Sequence, residues 1–337
     1  DNIGSTLRKE PVNLFLWKIA AVAVVHHIGY LSFLLSLVKS VNSLLGAEAV
    51  IRMTRLNELQ SIFLVDTHSF GLNVGADGSA DIGAFVPVKS ADSQGSQYAG
   101  MGVSLVEAYP ELKKIFDEAS GILGFDLYDK CANAPAEELA QTAISQPAIM
   151  AVSLCAAEAL RMNGITATAA AGHSLGEYAA MVYTGMVSRT DGFKLIKARS
   201  LAMQKAAENS SGAMFAIIGS TPAGIEKVCA ETEGYVVPVN YNSSVQTVIA
   251  GEEPAAQAAA DTLAAAGARA IRLNVAAAFH SKLMQGAADE FKPAAEQISF
   301  KTPEITMLSN ISGTALDSID NMPERLALHI VSPVKFT

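Results

Sequence analysis

Gly172-His-Ser-Leu-Gly176 is the stretch of this 337-residue chain best suited to covalent chemistry. A serine at the centre of G-x-S-x-G stands on a tight strand-to-helix turn, where the flanking glycines relieve crowding and the hydroxyl projects from the backbone. The neighbouring residues suit that context, because Thr166–Ala171 reads as a short strand of small residues and Glu177–Tyr183 as a helix. Such a helix aims free N–H groups and its positive dipole end at whatever Ser174 attacks. A nucleophilic serine also needs a base. His173 is adjacent to Ser174, so the two side chains diverge and His173 shapes the turn instead. His280 closes the apolar run Asn274–Phe279, where an imidazole can lean into a cleft, and His329 lies further along. The plainer alternatives are a glycine-rich turn for Ser174 and a surface loop histidine for His280.

These residues need a scaffold, and from about Gly83 onward short apolar strands alternate with Ala-rich amphipathic helices, which predicts an α/β fold. Ala84–Val88 reads as a strand, and Tyr109-Pro110 opens a helix through Glu118. Gln146-Pro147 opens another, closed by Gly164, and Arg189–Ala207 reads as a third. Between Ser174 and His280 the predicted order is strand Gly212–Gly219, helix Pro222–Thr232, strand Tyr235–Asn240, strand Val245–Ala250, helix Pro254–Ala266 and strand Arg269–Val275. That βαββαβ order is ferredoxin-like. A small domain inserted between nucleophile and base leaves a cleft at the junction. The expected organisation is therefore an N-terminal extension over 1–84, a large catalytic domain over 85–208 and 277–337, and a small domain over 209–276.

Composition narrows the function classes. Lys plus Arg number 24 against 33 Asp plus Glu, a net charge of −9, which argues against a general grip on nucleic acid. Nearly all of that excess falls after residue 84. Cys131, Cys155 and Cys229 have neither disulfide-framework nor C-x-x-C spacing, so a reducing compartment is expected. Ile19–Val38 carries no Lys, Arg or acid and has the length of a membrane span. His26, His27, Ser32 and Ser36 weigh against spanning, and Lys18 and Lys39 at both ends assign no orientation. A cytoplasmic protein is expected, with an organellar or tethered one as the alternative.

Several stretches together point to one family. They are Gln94-Gly-Ser-Gln-Tyr-Ala-Gly-Met-Gly102, Thr142-Ala-Ile-Ser-Gln-Pro147, Gly172–Glu177, Arg199 in the helix ending Met203-Gln204, Gly212-Ala-Met214, Asn240-Tyr-Asn-Ser243, Ala278-Phe-His-Ser281 and Ser332-Pro-Val-Lys-Phe336. In this order they resemble the malonyl-CoA:acyl-carrier-protein transacylases, relatives of polyketide acyltransferase domains, over roughly three quarters of the chain. The resemblance implies an α/β-hydrolase-like large domain carrying the ferredoxin-like one, and a monomer that needs no cofactor or metal. Its substrates would be malonyl-CoA and the phosphopantetheine arm of acyl carrier protein. Ser174 would be the nucleophile and His280 the base, oriented by a backbone carbonyl in place of an acid. Gln94 and Leu175 would supply the oxyanion N–H groups, and Arg199 would hold the malonyl carboxylate. Phe279 would crowd a branched acyl chain, while Gln146, His173, Asn242 and Lys335 would shape the cleft. Lys194, Lys197, Lys205 and Lys282 are candidates for docking an acidic carrier.

Three departures accompany the resemblance. The loop before Gln94 carries Val-Lys-Ser-Ala-Asp-Ser where the family has Phe-Pro-Gly-Gln-Gly, which bears on the Gln94 donor. Ser244-Val245 stands where Pro-Gly is common. The chain stops at Thr337, soon after the segment expected to orient His280. Two other readings stand beside the transacylase: a serine esterase or thioesterase-type hydrolase, which would not need Arg199, and a weakly active carrier-docking module.

Overall fold

A computed structural model describes residues 97–337, save 165, 210, 211, 274 and 276, together with the short strands Asn73–Val74 and Ala80–Asp81. The predicted strand at Ala84–Val88, the Ile19–Val38 run and Gln94 lie outside the described residues. The chain divides into two compact units, Asp1–Ala80 and Asp81–Thr337. The second is a mixed α/β structure. Its elements are α1 (Val103–Ala108), α2 (Lys113–Leu123), α3 (Leu127–Asn133), α4 (Ala136–Leu139), α5 (Thr142–Met162), β1 (Ala169–Ala170), α6 (Gly176–Tyr183) and α7 (Arg189–Glu208). Then come β2 (Gly212–Ile218), α8 (Pro222–Glu231), β3 (Val236–Ser243), β4 (Gln246–Glu252), α9 (Glu253–Ala265) and β5 (Arg269–Arg272). The chain closes with α10 (Gln285–Ala295), β6 (Thr306–Met307), α11 (Met322–Val331) and β7 (Val334–Lys335).

The site-bearing helices are set by local chemistry and burial. Ser188 caps α7 by accepting the Asp191 N–H, which satisfies one of the helix's orphan donors. Helix α5 is long and apolar enough to cross a membrane, yet 83% of its most apolar window is buried inside the protein, so it is a core helix. It begins at Thr142, four residues before the predicted start, and Pro147 lies inside it. The expectation put proline at the first turn, where its missing N–H is harmless. Tertiary bonding moves the start upstream: the Ala143 N–H is taken by the Gln204 Oε1 of α7 at 2.9 Å. Likewise Pro110 opens a 3-10 turn, Pro110–Leu112, and α2 then continues past Glu118 to Leu123.

The segment between Gly212 and Arg272 follows the predicted strand and helix order. Its strands are arranged β5-β2-β4-β3, all antiparallel, with β7 added parallel to the outer edge of β3. Helices α8 and α9 cover it through a cluster that includes Phe215, Ile217, Ile225, Ile249 and Leu263. Apolar residues recurring at alternate strand positions face these helices, which is why periodicity alone located the unit. Three strands differ from expectation: β3 runs on to Ser243, β4 starts at Gln246 after the Ser244-Val245 turn, and β5 ends at Arg272 instead of Val275. Outside that segment, β1 and β6 form a two-residue parallel pair, Ala169 opposite Thr306 and Ala170 opposite Met307.

Candidate active site

Gly172–Gly176 leads from β1 into α6, and the turn closes so tightly that a Cβ on Gly172 would stand 2.0 Å from the Gly176 carbonyl carbon. Only hydrogen fits there. Ser174 then takes φ 52°, and His280 takes φ 60°; with Asn321 they are the non-glycine residues of positive φ among those described. Each such backbone costs on the order of 1–3 kcal/mol and needs surrounding contacts to hold it.

Those contacts bring the two side chains together. Ser174 Oγ lies 2.7 Å from His280 Nε2, although 106 residues separate them. His280 Nδ1 lies 3.0 Å from the His329 backbone oxygen, so with Nδ1–H donating there, Nε2 is left to accept the Ser174 proton. His280 is buried, and burial first, then the Arg199 charge, lower its pKa to about 3. It is a neutral imidazole at physiological pH.

Arg199, fully buried on α7, donates from Nη2 to Ser174 Oγ at 3.0 Å and from Nη1 to Gln146 Oε1 at 2.7 Å. Its guanidinium stands 5.3 Å from the Tyr178 ring centre, and Nε has no partner among the described residues. Ser174, Leu175, Arg199, Gln146, Phe279 and His280 line one cleft. Met203, Met214, Asn240 and Val275 complete it. Those four were not singled out as site residues, though Met203, Met214 and Asn240 lie in stretches that carried the resemblance. Gly212 adjoins this wall, since a Cβ there would come within 2.8 Å of Ala278, just ahead of the base.

Other anticipated residues sit apart. His173 turns away from the cleft, its Nε2 2.8 Å from Asn242 Oδ1 and its ring edge-on to Phe336 at 5.2 Å. Burial lowers its pKa to about 4. Lys335 is exposed and contributes its backbone, which donates to the Asn310 carbonyl at 2.8 Å. The four candidate docking lysines all have local partners. Lys194 pairs with Asp191, Lys205 with Glu290, Lys197 donates to the Ile122 carbonyl, and Lys282 lies 3.9 Å over the Tyr235 ring.

One group of residues escaped the sequence reading. Asn310 Oδ1 accepts the Ser174 N–H at 2.7 Å, while its Nδ2 donates to the Gly172 carbonyl at 2.7 Å. The Asn310 N–H in turn donates to Glu177 Oε2 at 3.0 Å. Glu177 is buried, and burial pushes its carboxyl up to about 7 against the pull of that N–H and of Arg199. Glu177 closes the G-x-S-x-G-E stretch, and that acid in an otherwise apolar helix was the available signal.

Residues 92–337 match the family described as Acyl transferase domain. This chain belongs to that family. The acyl transferase is 39% identical over 248 residues to the malonyl CoA-acyl carrier protein transacylase of Escherichia coli K12, covering 72% of this chain and 80% of that one. It is 32% identical to the mitochondrial malonyl-CoA-acyl carrier protein transacylase of Mus musculus, over 72% and 68% of the two chains. Among solved structures it is similar to the malonyl-transacylase seen in complex with a type II PKS acyl-carrier protein. That match has 37% identity and a TM-score of 0.69, covering 72% of this acyl transferase and 80% of that chain.

Proposed function

We propose that this acyl transferase moves a malonyl group from malonyl-CoA to the phosphopantetheine thiol of acyl carrier protein through a malonyl-serine, supplying fatty acid or polyketide synthesis. One observation carries the choice of acyl group: a fully buried arginine, hydrogen-bonded to the nucleophile's own oxygen and lining the cleft. A guanidinium in that place suits an acyl chain ending in a carboxylate, which it can hold with two parallel hydrogen bonds. A hydrolase of neutral esters has no use for it.

In the first half-reaction Ser174 Oγ attacks the thioester carbonyl and its proton passes to His280 Nε2. The oxyanion rests on the backbone N–H of Leu175, at the start of α6, with that of Gln94 as the second donor. The C–S bond then breaks, and His280 returns the proton to the coenzyme A thiolate. The pantetheine thiol repeats the sequence in reverse, restoring Ser174. Phe279 narrows the acyl end of the cleft, and Gln146 holds Arg199 in place. The fold assignment that goes with this chemistry is an α/β-hydrolase-like large domain, 85–208 and 277–337, with a ferredoxin-like domain over 209–276. The β5-β2-β4-β3 order supports the latter. The enzyme is read as a cytoplasmic monomer, with the mitochondrial relative naming the organellar alternative.

The test is intact mass after incubation with malonyl-CoA. A single malonyl adduct is expected on the wild type, discharged by holo acyl carrier protein with formation of malonyl-carrier, and none on Ser174→Ala. Release of free malonate without carrier loading would favour the hydrolase reading instead.

A further inference from the structure

We infer that Glu177 is the residue that locks nucleophile and base into one register, a positioning role that rests on the Ser174–His280 reading above. Besides their contact with each other, each partner has an N–H held from a distant part of the chain. The Ser174 N–H is held by the Asn310 side chain, and Asn310 also ties down the Gly172 carbonyl across the same turn. His280 Nδ1 is held by the backbone oxygen of His329 on α11. Glu177 meets both holders. Its Oε2 accepts the Asn310 N–H at 3.0 Å and stands 3.7 Å from His329 Nε2.

The rest of the neighbourhood explains why this junction is rigid. His329 is buried, and neither ring nitrogen has a hydrogen-bond partner among the described residues; its contact with Glu177, at 3.7 Å, is polar but longer than a hydrogen bond. Leaving the Asn310 N–H or a Glu177 oxygen unpaired in this dry interior is costly, so the arrangement has little freedom to slide. Ser174 and His280 both sit at positive φ, conformations that persist only when their surroundings over-determine them. Asn310, 136 residues from Ser174, and His329, 49 residues from His280, supply that constraint, and Glu177 joins the two. An oxygen of Glu177 remains available to the Asn310 N–H whether the carboxyl is charged or neutral.

The reaction of Ser174 with a fluorophosphonate probe tests this without depending on malonyl-CoA: the Ser174 Oγ–P bond forms, P–F breaks, fluoride leaves and His280 takes the proton. Labelling rates are compared for wild type, Glu177→Leu, Glu177→Gln and Asn310→Ala, with thermal melting on each. Glu177→Leu, apolar and without an acceptor, is expected to label about 10²-fold more slowly, as for a displaced reacting group. Glu177→Gln, which keeps an acceptor, is expected to label close to the wild-type rate. The double variant Glu177→Leu/Asn310→Ala is expected to be no slower than the worse single one, because both break one connection. Should Glu177→Leu not fold, Glu177→Gln against Asn310→Ala carries the comparison. Fast labelling of folded Glu177→Leu or of Asn310→Ala, or slow labelling of folded Glu177→Gln, overturns the inference. Wild type that labels normally but forms no malonyl adduct overturns the malonyl reading and leaves this one standing.

Discussion

Arg199 carries a charge into a fully buried place where the groups it meets are a serine hydroxyl, an amide oxygen and a tyrosine ring. Beyond the charge of Glu177, the carboxylate of the acyl group is the partner proposed for it above, which would turn a stability cost into selectivity. Arg199→Ala is therefore expected to lower kcat/KM for malonyl-CoA and to leave acetyl-CoA nearly unaffected. The loss corresponds to one charged hydrogen-bonded contact, about 1.5–3 kcal/mol, or roughly 10- to 100-fold. Competition between the two thioesters measures it, and an unchanged malonyl preference would remove Arg199 from the specificity role. At the same scale, His280 with a pKa near 3 is already neutral at pH 5. Single-turnover acylation is expected to show no half-loss at 6.5, the value of an ordinary imidazole base. Ser174 was legible from its glycine-flanked turn and His280 as a candidate base, while Arg199 and Gln146 were legible through the family resemblance of their stretches. Asn310 was not, because the residues around it have no pattern and its meaning comes from hydrogen bonds spanning more than 130 positions.

The β1-turn-α6 element depends on the glycine at 172 more than on any side chain. Gly172→Ala would drive a methyl into backbone 2.0 Å away, and nothing in that turn can retreat. A loss of about 3 kcal/mol or more is expected, with activity lost as Ser174 moves. Gly121, within α2 and with nothing within 4 Å of a built Cβ, is the contrasting site. Gly121→Ala is expected to stabilise by about 0.5–1 kcal/mol through helix propensity, as chemical denaturation would report. Elements with a clean period, such as β2, β4 and α9, were read from sequence to within a few residues. The start of α5 was not, because Pro147 is a strong local signal for a first turn and the Gln204 side chain that takes the Ala143 N–H belongs to another helix.

At the scale of the molecule, the three histidines among the described residues, all buried, bear on the response to acid. Burial lowers the pKa of His173, His280 and His329 in the fold. Each contributes stability that is present above the unfolded value near 6.5 and lost as pH falls below it, because the unfolded chain then binds the extra proton. Glu177 runs the other way, its pKa raised to about 7, so its contribution is present below about 4.5 and lost as pH rises through 7. Three against one, the melting temperature is expected to fall from pH 6.5 to 4.5, and a flat profile by calorimetry would show that these imidazoles are not held neutral. The family match begins at residue 92, so removing residues 1–83 is expected to leave malonyl transfer intact, as a carrier-loading assay would show.

Residue type and period were sufficient for the α/β class, the βαββαβ segment and the elbow serine, since backbone propensity and the burial of one face act over a few neighbouring residues. The pairing of Ser174 with His280, the choice of His329 to orient the base, and the Asn310–Glu177 brace arose from packing. They depend on which distant groups meet once water is excluded, and a buried donor without a nearby acceptor takes whatever the fold brings to it.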